Sequence, residues 1–555
     1  MITNPFESVQ KAFLDYLFTT YELTVEQSAS LATTINDDQK KRSFGDLSSN
    51  AALIIAKIAG KNPRQIAEEC AQNFSHPAVA QITIAGPGFI NFTLTSEAFS
   101  LCAQSLLKDT KAFFRPTDLV AKNYSIEFVS ANPTGPLHIG HGRGGIIGDV
   151  VGNVLRFLGH SVTKEFYIND AGKQLTTLGN SLSIRCQQQL GLPVEIPEDA
   201  YQGDYLVTMA QELITAQKAR VENAIAQQDV TFFSSYAKEK LLKKIQETLS
   251  AYGVHFDVWF SEKTLHDSNA VTEALETLKK NGHTYEQEGA LWFKSTHFGD
   301  DKDRVLRRSN GEVTYVAADV AYMQNKLARG AEKLILVLGQ DHHGYVVRLK
   351  GIMAALGYNP DNLDVILYQL VTVKEDGEVV RLSKRAGRIV SLEDIIQTVG
   401  PDVARFFYLN RKADAHLDFD LALALKKTDE NPVFYLHYAY VRTNSIFEKA
   451  TDTKALEAPA AADLFNLDAE EQLLIKKIIS LKQLLRSIEA NNQAHLLTYY
   501  ALELANTFHS FYAANRVIDL TNVEQSRRRL ALVRIIHNTF ALCFELLGIS
   551  CPEKM

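Results

Sequence analysis

Tyr124-Ser125-Ile126-Glu127-Phe128-Val129, followed by Ser130-Ala131-Asn132-Pro133-Thr134-Gly135-Pro136-Leu137 and then His138-Ile139-Gly140-His141, is the stretch on which the architecture turns. Its first part is β-prone, its middle reads as a loop, and its end opens a Gly-rich helix. A strand that hands over to a helix in this way is expected where an α/β sheet begins. Helix-start amides and the helix dipole favour an anionic phosphate there. Gly140 removes a side chain that would keep a flat base from the backbone. His138 and His141 can donate hydrogen bonds to oxygens whose charge grows as a phosphate is attacked. Two surface histidines near a turn, or two metal ligands, are the alternatives, and the Pro133-Thr134-Gly135-Pro136 lead-in argues against both.

Upstream of this unit the pattern is mixed α/β. Phe6 to Leu17 and Ser49 to Ile58 are helix-like, and Ala80 to Ile84 and Gly88 to Leu94 are strand-like around a Gly-Pro-Gly turn. Downstream, the mostly helical Leu175 to Ser250 reads as an insertion within the sheet domain. Hairpin signals follow at Asn310-Gly311 and Asp376-Gly377. Between them Lys333 to Leu338 is a buried-strand candidate ending at Gly339-Gln340-Asp341. From about Asp402 the pattern is helical. Leu474, Ile478, Leu481, Leu485 and Ile488 recur on one face, and Leu456 to Ala462 reads as a connecting loop. The expected fold is multidomain α/β. A Rossmann-like parallel-sheet domain over 116–400, with a helical insertion over about 175–285, lies between an α/β N-terminal extension (1–115) and an all-α helical bundle (401–555).

A chain of 555 residues is too long for one ordinary core, and its 46% hydrophobic and 22% charged residues are a normal globular balance. The net charge of -7 announces no nucleic-acid binder, so any RNA contact must come from local patches. Candidates are Lys40, Lys41 and Arg42; Arg304, Arg307 and Arg308; and Arg527, Arg528 and Arg529, each of which is otherwise a solvated face. The five cysteines are scattered without zinc spacing, so neither a disulfide frame nor a structural metal is indicated. The N-terminus lacks signal-peptide features, and no apolar run approaches bilayer length. A cytoplasmic protein with no membrane partner is expected.

Asn132 to His141 resembles the HIGH signature of class I aminoacyl-tRNA synthetases. Arg381-Leu382-Ser383-Lys384-Arg385, directly after the second hairpin signal, resembles their mobile KMSKS loop, with Arg381 and Leu382 in place of Lys and Met. Such a loop needs cations that close over a triphosphate and neutralise the leaving pyrophosphate. Arg381 keeps the charge but is forked and bulkier than Lys. Several further stretches are similar to arginyl-tRNA synthetases in particular. They are Phe44-Gly45-Asp46, Ala85 to Phe92, Glu127 to Pro133, Tyr167-Ile168-Asn169-Asp170 and Gly339 to Tyr345, and the similarity runs on to the closing Pro552-Glu553-Lys554-Met555.

That resemblance implies ATP-dependent activation of L-arginine to arginyl-adenylate and its transfer to the 2′-hydroxyl of tRNA(Arg), with Mg²⁺ accompanying ATP. Catalytic roles fall to His138, His141 and Lys384. ATP binding falls to Pro133, Gly135, His138, Gly140, His141, Leu382, Ser383 and Lys384. Glu262, Tyr315 and Asp319 match the positions that hold the guanidinium, while Glu127, Asn132 and Gln340 hold the amino acid's backbone groups. A planar permanent cation needs in-plane acceptors, which a pocket of this composition supplies. Alone, Tyr315 and Asp319 would be a half-buried helix face, and Gln340-Asp341-His342-His343 a metal site or a strand-end turn. Asp170, Gly172 and Gln174 are weaker pocket candidates. The bundle resembles an anticodon-binding domain, in which Tyr438, Arg442, Phe511, Tyr512, Asn515 and Arg516 suit stacking on splayed bases. Phe511 reads equally well as core. The extension resembles one that contacts the outer corner of tRNA, and the resemblance further implies a monomer that needs bound tRNA before activation.

Rival readings are a class I synthetase for another amino acid, a smaller HIGH-type nucleotidyltransferase, and an inactive RNA-binding paralogue. The acidic pocket residues, the long helical region, and the intact His138, His141 and Lys384 argue against them in turn.

Overall fold

A computed structural model describes residues 3–28, 30–375, 377–379, 391–452 and 459–555. They form two compact units, one of Val120–Lys426 with 492–495, the other of Met1–Leu119, Lys427–Asn491 and Leu496–Met555.

The first unit is built on five parallel strands: Asn123–Glu127, Ser161–Ile168, Val258–Ser261, Lys333–Gly339 and Leu363–Tyr368. Numbered in that chain order, they lie as 5-4-1-2-3 across the sheet. This is the doubly wound order, which reverses between the first and fourth strands and opens a crevice at their carboxyl ends. The buried-strand candidate Lys333 to Leu338 is the fourth strand, pairing on both sides, with Leu334 to Val337 buried. The insertion expected to 285 stops earlier. Its three long helices, Lys173–Gln189, Asp204–Ala226 and Val230–Ala251, share their own core of Leu178, Leu182, Leu206, Leu213 and Phe233. The β-prone Val258-Trp259-Phe260 then returns to the sheet.

After the first strand, Val129 and Ser130 take positive φ of 66° and 38°, strained values for residues with side chains. The chain then enters the helix Ile139–Leu158. Gly140, Gly144, Gly148 and Gly152 recur along it every fourth residue. A Cβ at Gly148 would lie 2.3 Å from the Phe128 ring, one at Gly144 2.8 Å from Tyr368, and one at Gly152 2.6 Å from Lys164. The stripe brings the helix against the end of the first strand and against side chains of the second and fifth. Asp149, on the same helix, is buried and pairs with Lys164 at 2.6 Å and with Arg405. Arg405 also donates to the carbonyls of Tyr252 and Gly253, both at 3.0 Å. This buried charge set ties the helix Pro401–Leu409 to the sheet, so 401–426 packs here rather than with the bundle.

In the second unit the N-terminal extension forms an antiparallel sheet of Thr33–Ile35, Leu47–Ser49, Phe89–Leu94 and Val79–Ala85, in that order. The Gly-Pro-Gly turn joins the last two, with Gly86 and Gly88 at positive φ. The bundle helices are Pro432–Asp452, Ala469–Asn491, His495–Ala514 and Val523–Leu547. The predicted stripe from Leu474 to Ile488 is buried throughout. Lys476 reaches Asp46 at 3.1 Å, Lys477 reaches Asp37 at 3.1 Å and Lys482 reaches Glu7 at 2.6 Å, so extension and bundle share one unit through this helix. The expectation that no apolar run approaches bilayer length needs correction. Val523–Leu547 is long and apolar enough, and 72% of its most apolar window is buried in this unit. A core helix satisfies the same length and composition test.

Candidate active site and RNA-facing residues

The crevice gathers residues from three strand ends and one helix. Glu127 closes the first strand, Glu262 follows the third, Gln340 follows the fourth, and Asp319 lies on the helix Tyr315–Ala328 that precedes the fourth. Parallel pairing sets Glu127 beside Glu165, two carboxylates in one row. Buried Lys326 answers them, pairing with Glu127 and standing 3.9 Å from Glu165, which Arg329 binds at 2.6 Å and Tyr322 caps. The other Glu127 oxygen accepts the Ser130 hydroxyl at 3.1 Å, and that Oγ accepts the Tyr167 amide at 3.1 Å. Thus the strained turn holds Glu127 in place.

Asp319 has no ion-pair partner within 4.0 Å among the described residues. Burial pushes its carboxyl up to about 7, helped by the charges of Glu127 and Glu262 and opposed by a 3.1 Å hydrogen bond from the Tyr345 hydroxyl. Burial also raises Glu262, against a Tyr167 hydrogen bond and His266, whose Nε2 is 3.7 Å away. Burial, then Glu262, Asp319 and Glu127, push the Tyr167 phenol upward. The charges of Glu127 and Glu262 thus both bear on Asp319 and on the Tyr167 phenol. Tyr315 is exposed at the start of its helix, its hydroxyl over Gly172. Asn132 is exposed and Gln340 half-buried. Asp170 is committed to Ser261 (2.8 Å), the Lys263 amide (3.0 Å) and Lys238 (3.2 Å), so its role is to hold the loop after the third strand.

At the other side of the crevice the two signature histidines cap their own helix. His138 Nδ1 accepts the Gly140 amide and His141 Nδ1 accepts the His138 amide, each at 3.1 Å, with the rings stacked at 3.6 Å. The amides of His138 and Gly140 at this helix start are thus occupied. A neutral imidazole with an accepting Nδ1 carries its hydrogen on Nε2, away from the helix start. Burial, and the neighbouring His138, pull His141 down to about 3, keeping it neutral. Gly140 has a nearer reason to be glycine than access for a base: a Cβ there would lie 3.0 Å from the His138 ring. Pro133 is buried, and Gly135 lies beside Tyr205, whose hydroxyl donates to the Thr134 carbonyl at 2.6 Å. The predicted hairpin precedes the KMSKS-like segment, pairing Lys374 with Val379. Arg381, Leu382, Ser383 and Lys384 lie outside the described residues.

In the bundle, Arg442 lies 4.5 Å from the Tyr438 ring centroid and 5.0 Å from that of Tyr512, with a 3.0 Å contact to His509 Nδ1. Tyr438 and Arg516 are exposed, whereas Phe511 is 5% exposed and lies in the bundle. The Arg527 to Arg529 run is structural. It binds Asp463, Asp468 and fully buried Glu471. Arg42 pairs with Glu470 and Arg304 with Asp300. No sequence pattern marks Lys326, Tyr167 or Tyr345 for a role of its own. The last two stand inside quoted motifs, which was the available signal.

Comparison with known proteins gives three family matches: "tRNA synthetases class I (R), catalytic domain" over residues 103–405, "DALR anticodon binding domain" over 436–555, and "Arginyl tRNA synthetase N terminal domain" over 8–94. An arginine–tRNA ligase from Geobacillus thermodenitrificans is 41% identical over 520 residues, 93% of each chain. A solved arginyl-tRNA synthetase from Campylobacter jejuni superposes with a TM-score of 0.75 at 34% identity, covering 83% of this chain and all of that one. One from Plasmodium falciparum, at 20% identity and a TM-score of 0.78 over the full length of both chains, shares the fold.

Proposed function

Because the chain belongs to the arginyl-tRNA synthetases of class I, and so joins arginine to tRNA(Arg) in an ATP-dependent reaction, we propose that the crevice at the strand ends holds both arginine and ATP. The observation that carries this reading is Asp319, which accepts a hydrogen bond from the Tyr345 hydroxyl and has no ion-pair partner among the described residues, with the charges of Glu127 and Glu262 bearing on it. Lys326 already compensates Glu127, so the acids still demanding a cation are Asp319 and Glu262. A guanidinium satisfies both in its own plane, with the Tyr315 hydroxyl at the rim; a lysine ammonium, a point charge, cannot. Glu127, Asn132 and Gln340 take the α-amino and carboxylate groups.

The bound carboxylate then attacks the α-phosphate of ATP. No side-chain nucleophile is required, and the protein supplies position and charge stabilisation. His138 and His141 donate through Nε2–H to phosphate oxygens, and Lys384 neutralises the leaving pyrophosphate, with Pro133, Gly135, Gly140, Leu382 and Ser383 shaping the nucleotide site. Mg²⁺ enters as the counter-ion of the phosphates, a hard cation that keeps much of its water. Among the described residues no set of three His, Cys, Asp or Glu gathers to ligate one. Tyr438, Arg442 and Tyr512 offer stacking surfaces to anticodon bases, Arg516 offers charge, and the extension meets the outer corner of tRNA. Phe511 contributes packing. The enzyme works as a cytoplasmic monomer and needs bound tRNA for activation.

Arginine-dependent ATP–pyrophosphate exchange, with and without tRNA(Arg), tests the site. Glu262→Gln should raise the KM for arginine and leave that for ATP unchanged. An unaltered arginine KM removes Glu262 from the pocket.

A further inference from the structure

We propose that Tyr345, backed by Arg348, is a positioning residue for arginine recognition: its hydroxyl fixes the Asp319 carboxylate in the orientation and charge state that a guanidinium requires. The inference rests on the reading of Asp319 as a guanidinium partner.

Tyr345 opens the helix Tyr345–Ala355, directly after the short turn Gln340–His342 that ends the fourth strand. One strand end thereby places both Gln340 and Tyr345 in the crevice. The Tyr345 hydroxyl donates to Asp319 Oδ2 at 3.1 Å. Arg348, one turn along, sits with its guanidinium 4.3 Å from the centre of the Tyr345 ring. It is held there by Asp300, whose Oδ2 accepts Arg348 Nε at 3.1 Å while Arg304 binds the same carboxylate at 2.7 Å. Chiefly the Arg304 hydrogen bond keeps the Asp300 carboxyl well below the usual carboxylate range, so the anion behind Arg348 is permanent. A cation over a phenol face draws charge from the ring and makes its O–H a better donor.

The groups facing Asp319 divide cleanly. Glu127, Glu262 and the phenol of Tyr167 stand at the strand ends, and the two carboxylates disfavour its ionised form; Tyr345 and Arg348, on the following helix, favour it. Burial, and Asp319 itself, push the Tyr345 phenol up to about 12, so it remains a donor across the working range. Removing that donor leaves a carboxyl that rotates and is more readily neutral, and a neutral acid is a poor partner for a permanent cation.

The test is steady-state aminoacylation at saturating ATP and tRNA(Arg), with kcat and KM for arginine measured from pH 5.5 to 9. In the wild-type enzyme kcat/KM for arginine should rise with pH through one ionisation, which Asp319→Asn should abolish while raising KM. Tyr345→Phe should raise KM about tenfold, the scale of one hydrogen bond to a charged group, leave kcat and the ATP KM unchanged, and move the ionisation to higher pH. Arg348→Met should move it the same way by less, and Arg348→Lys should restore it. Thermal melts identify a variant that fails to fold, in which case the Arg348 pair decides. If Asp319→Asn leaves the arginine KM unaltered, the reading of Asp319 fails. If Asp319→Asn behaves as stated but the Tyr345→Phe profile superimposes on the wild type, the positioning role of Tyr345 is overturned and the pocket reading stands.

Discussion

Replacing Asp319 by Asn should have two effects of opposite sign. An ordinary aspartate ionises near pH 4, whereas burial, helped by the charges of Glu127 and Glu262, pushes Asp319 up to about 7. The folded state therefore binds the proton more tightly than the unfolded chain does. The resulting penalty is absent below the unfolded value, grows as pH rises from about 4 to about 7, and is constant above. About three pH units correspond to at most about 4 kcal/mol. Asparagine keeps the shape and never ionises, so the ligand-free variant should melt above the wild type at pH 8, with the gap narrowing toward pH 5. Arginine should reverse the order. A guanidinium that loses a buried anionic partner gives up about 3–5 kcal/mol, more than a hundredfold in affinity. Thermal melts at pH 8 and pH 5.5, with and without saturating arginine, read both effects. A variant that melts lower at pH 8 without ligand, yet is still stabilised by arginine as the wild type is, would make Asp319 structural and refute the argument.

His141→Ala removes the acceptor of the His138 amide and one Nε2–H donor; single-turnover adenylate formation should slow about 10²–10³-fold, the scale of one lost donor to developing charge. With its pKa held near 3, His141 contributes no inflection between pH 5 and 9, and one that vanishes in the variant would contradict this. Gly148→Ala forces a Cβ to 2.3 Å from the Phe128 ring. It should cost about 1–3 kcal/mol in urea unfolding and raise the arginine KM, because Phe128 leads into the turn that positions Glu127; an unchanged midpoint would show that the helix backs away freely.

The parts legible in the sequence are those in which neighbours along the chain are neighbours in space. The passage from Tyr124 through the loop to His141, the run Leu334 to Val337 and the stripe from Leu474 to Ile488 each carry their own period or punctuation. The charge compensation was not legible. Lys326 is 199 residues from Glu127, and only the parallel pairing that sets Glu127 beside Glu165 creates the need for it. The same holds for Tyr345 and Asp319, brought together by two helices flanking one strand. Basic runs misled for a related reason: Arg528 and Arg529 answer a buried Glu471 nearly sixty positions away. The third strand hid inside the helical insertion because it is short, and the helix Pro401–Leu409 pattern does not reveal that Arg405 will anchor to Asp149.

The ring nitrogens of His138 and His141 that face the backbone are each engaged by a main-chain amide. Neither imidazole can pass hydrogen from one edge to the other without breaking its own helix cap. Both are consequently fixed dipoles rather than relays, suited to a displacement in which an already ionised carboxylate does the attacking. Adenylate formation should accordingly run at nearly the same rate in heavy water as in light.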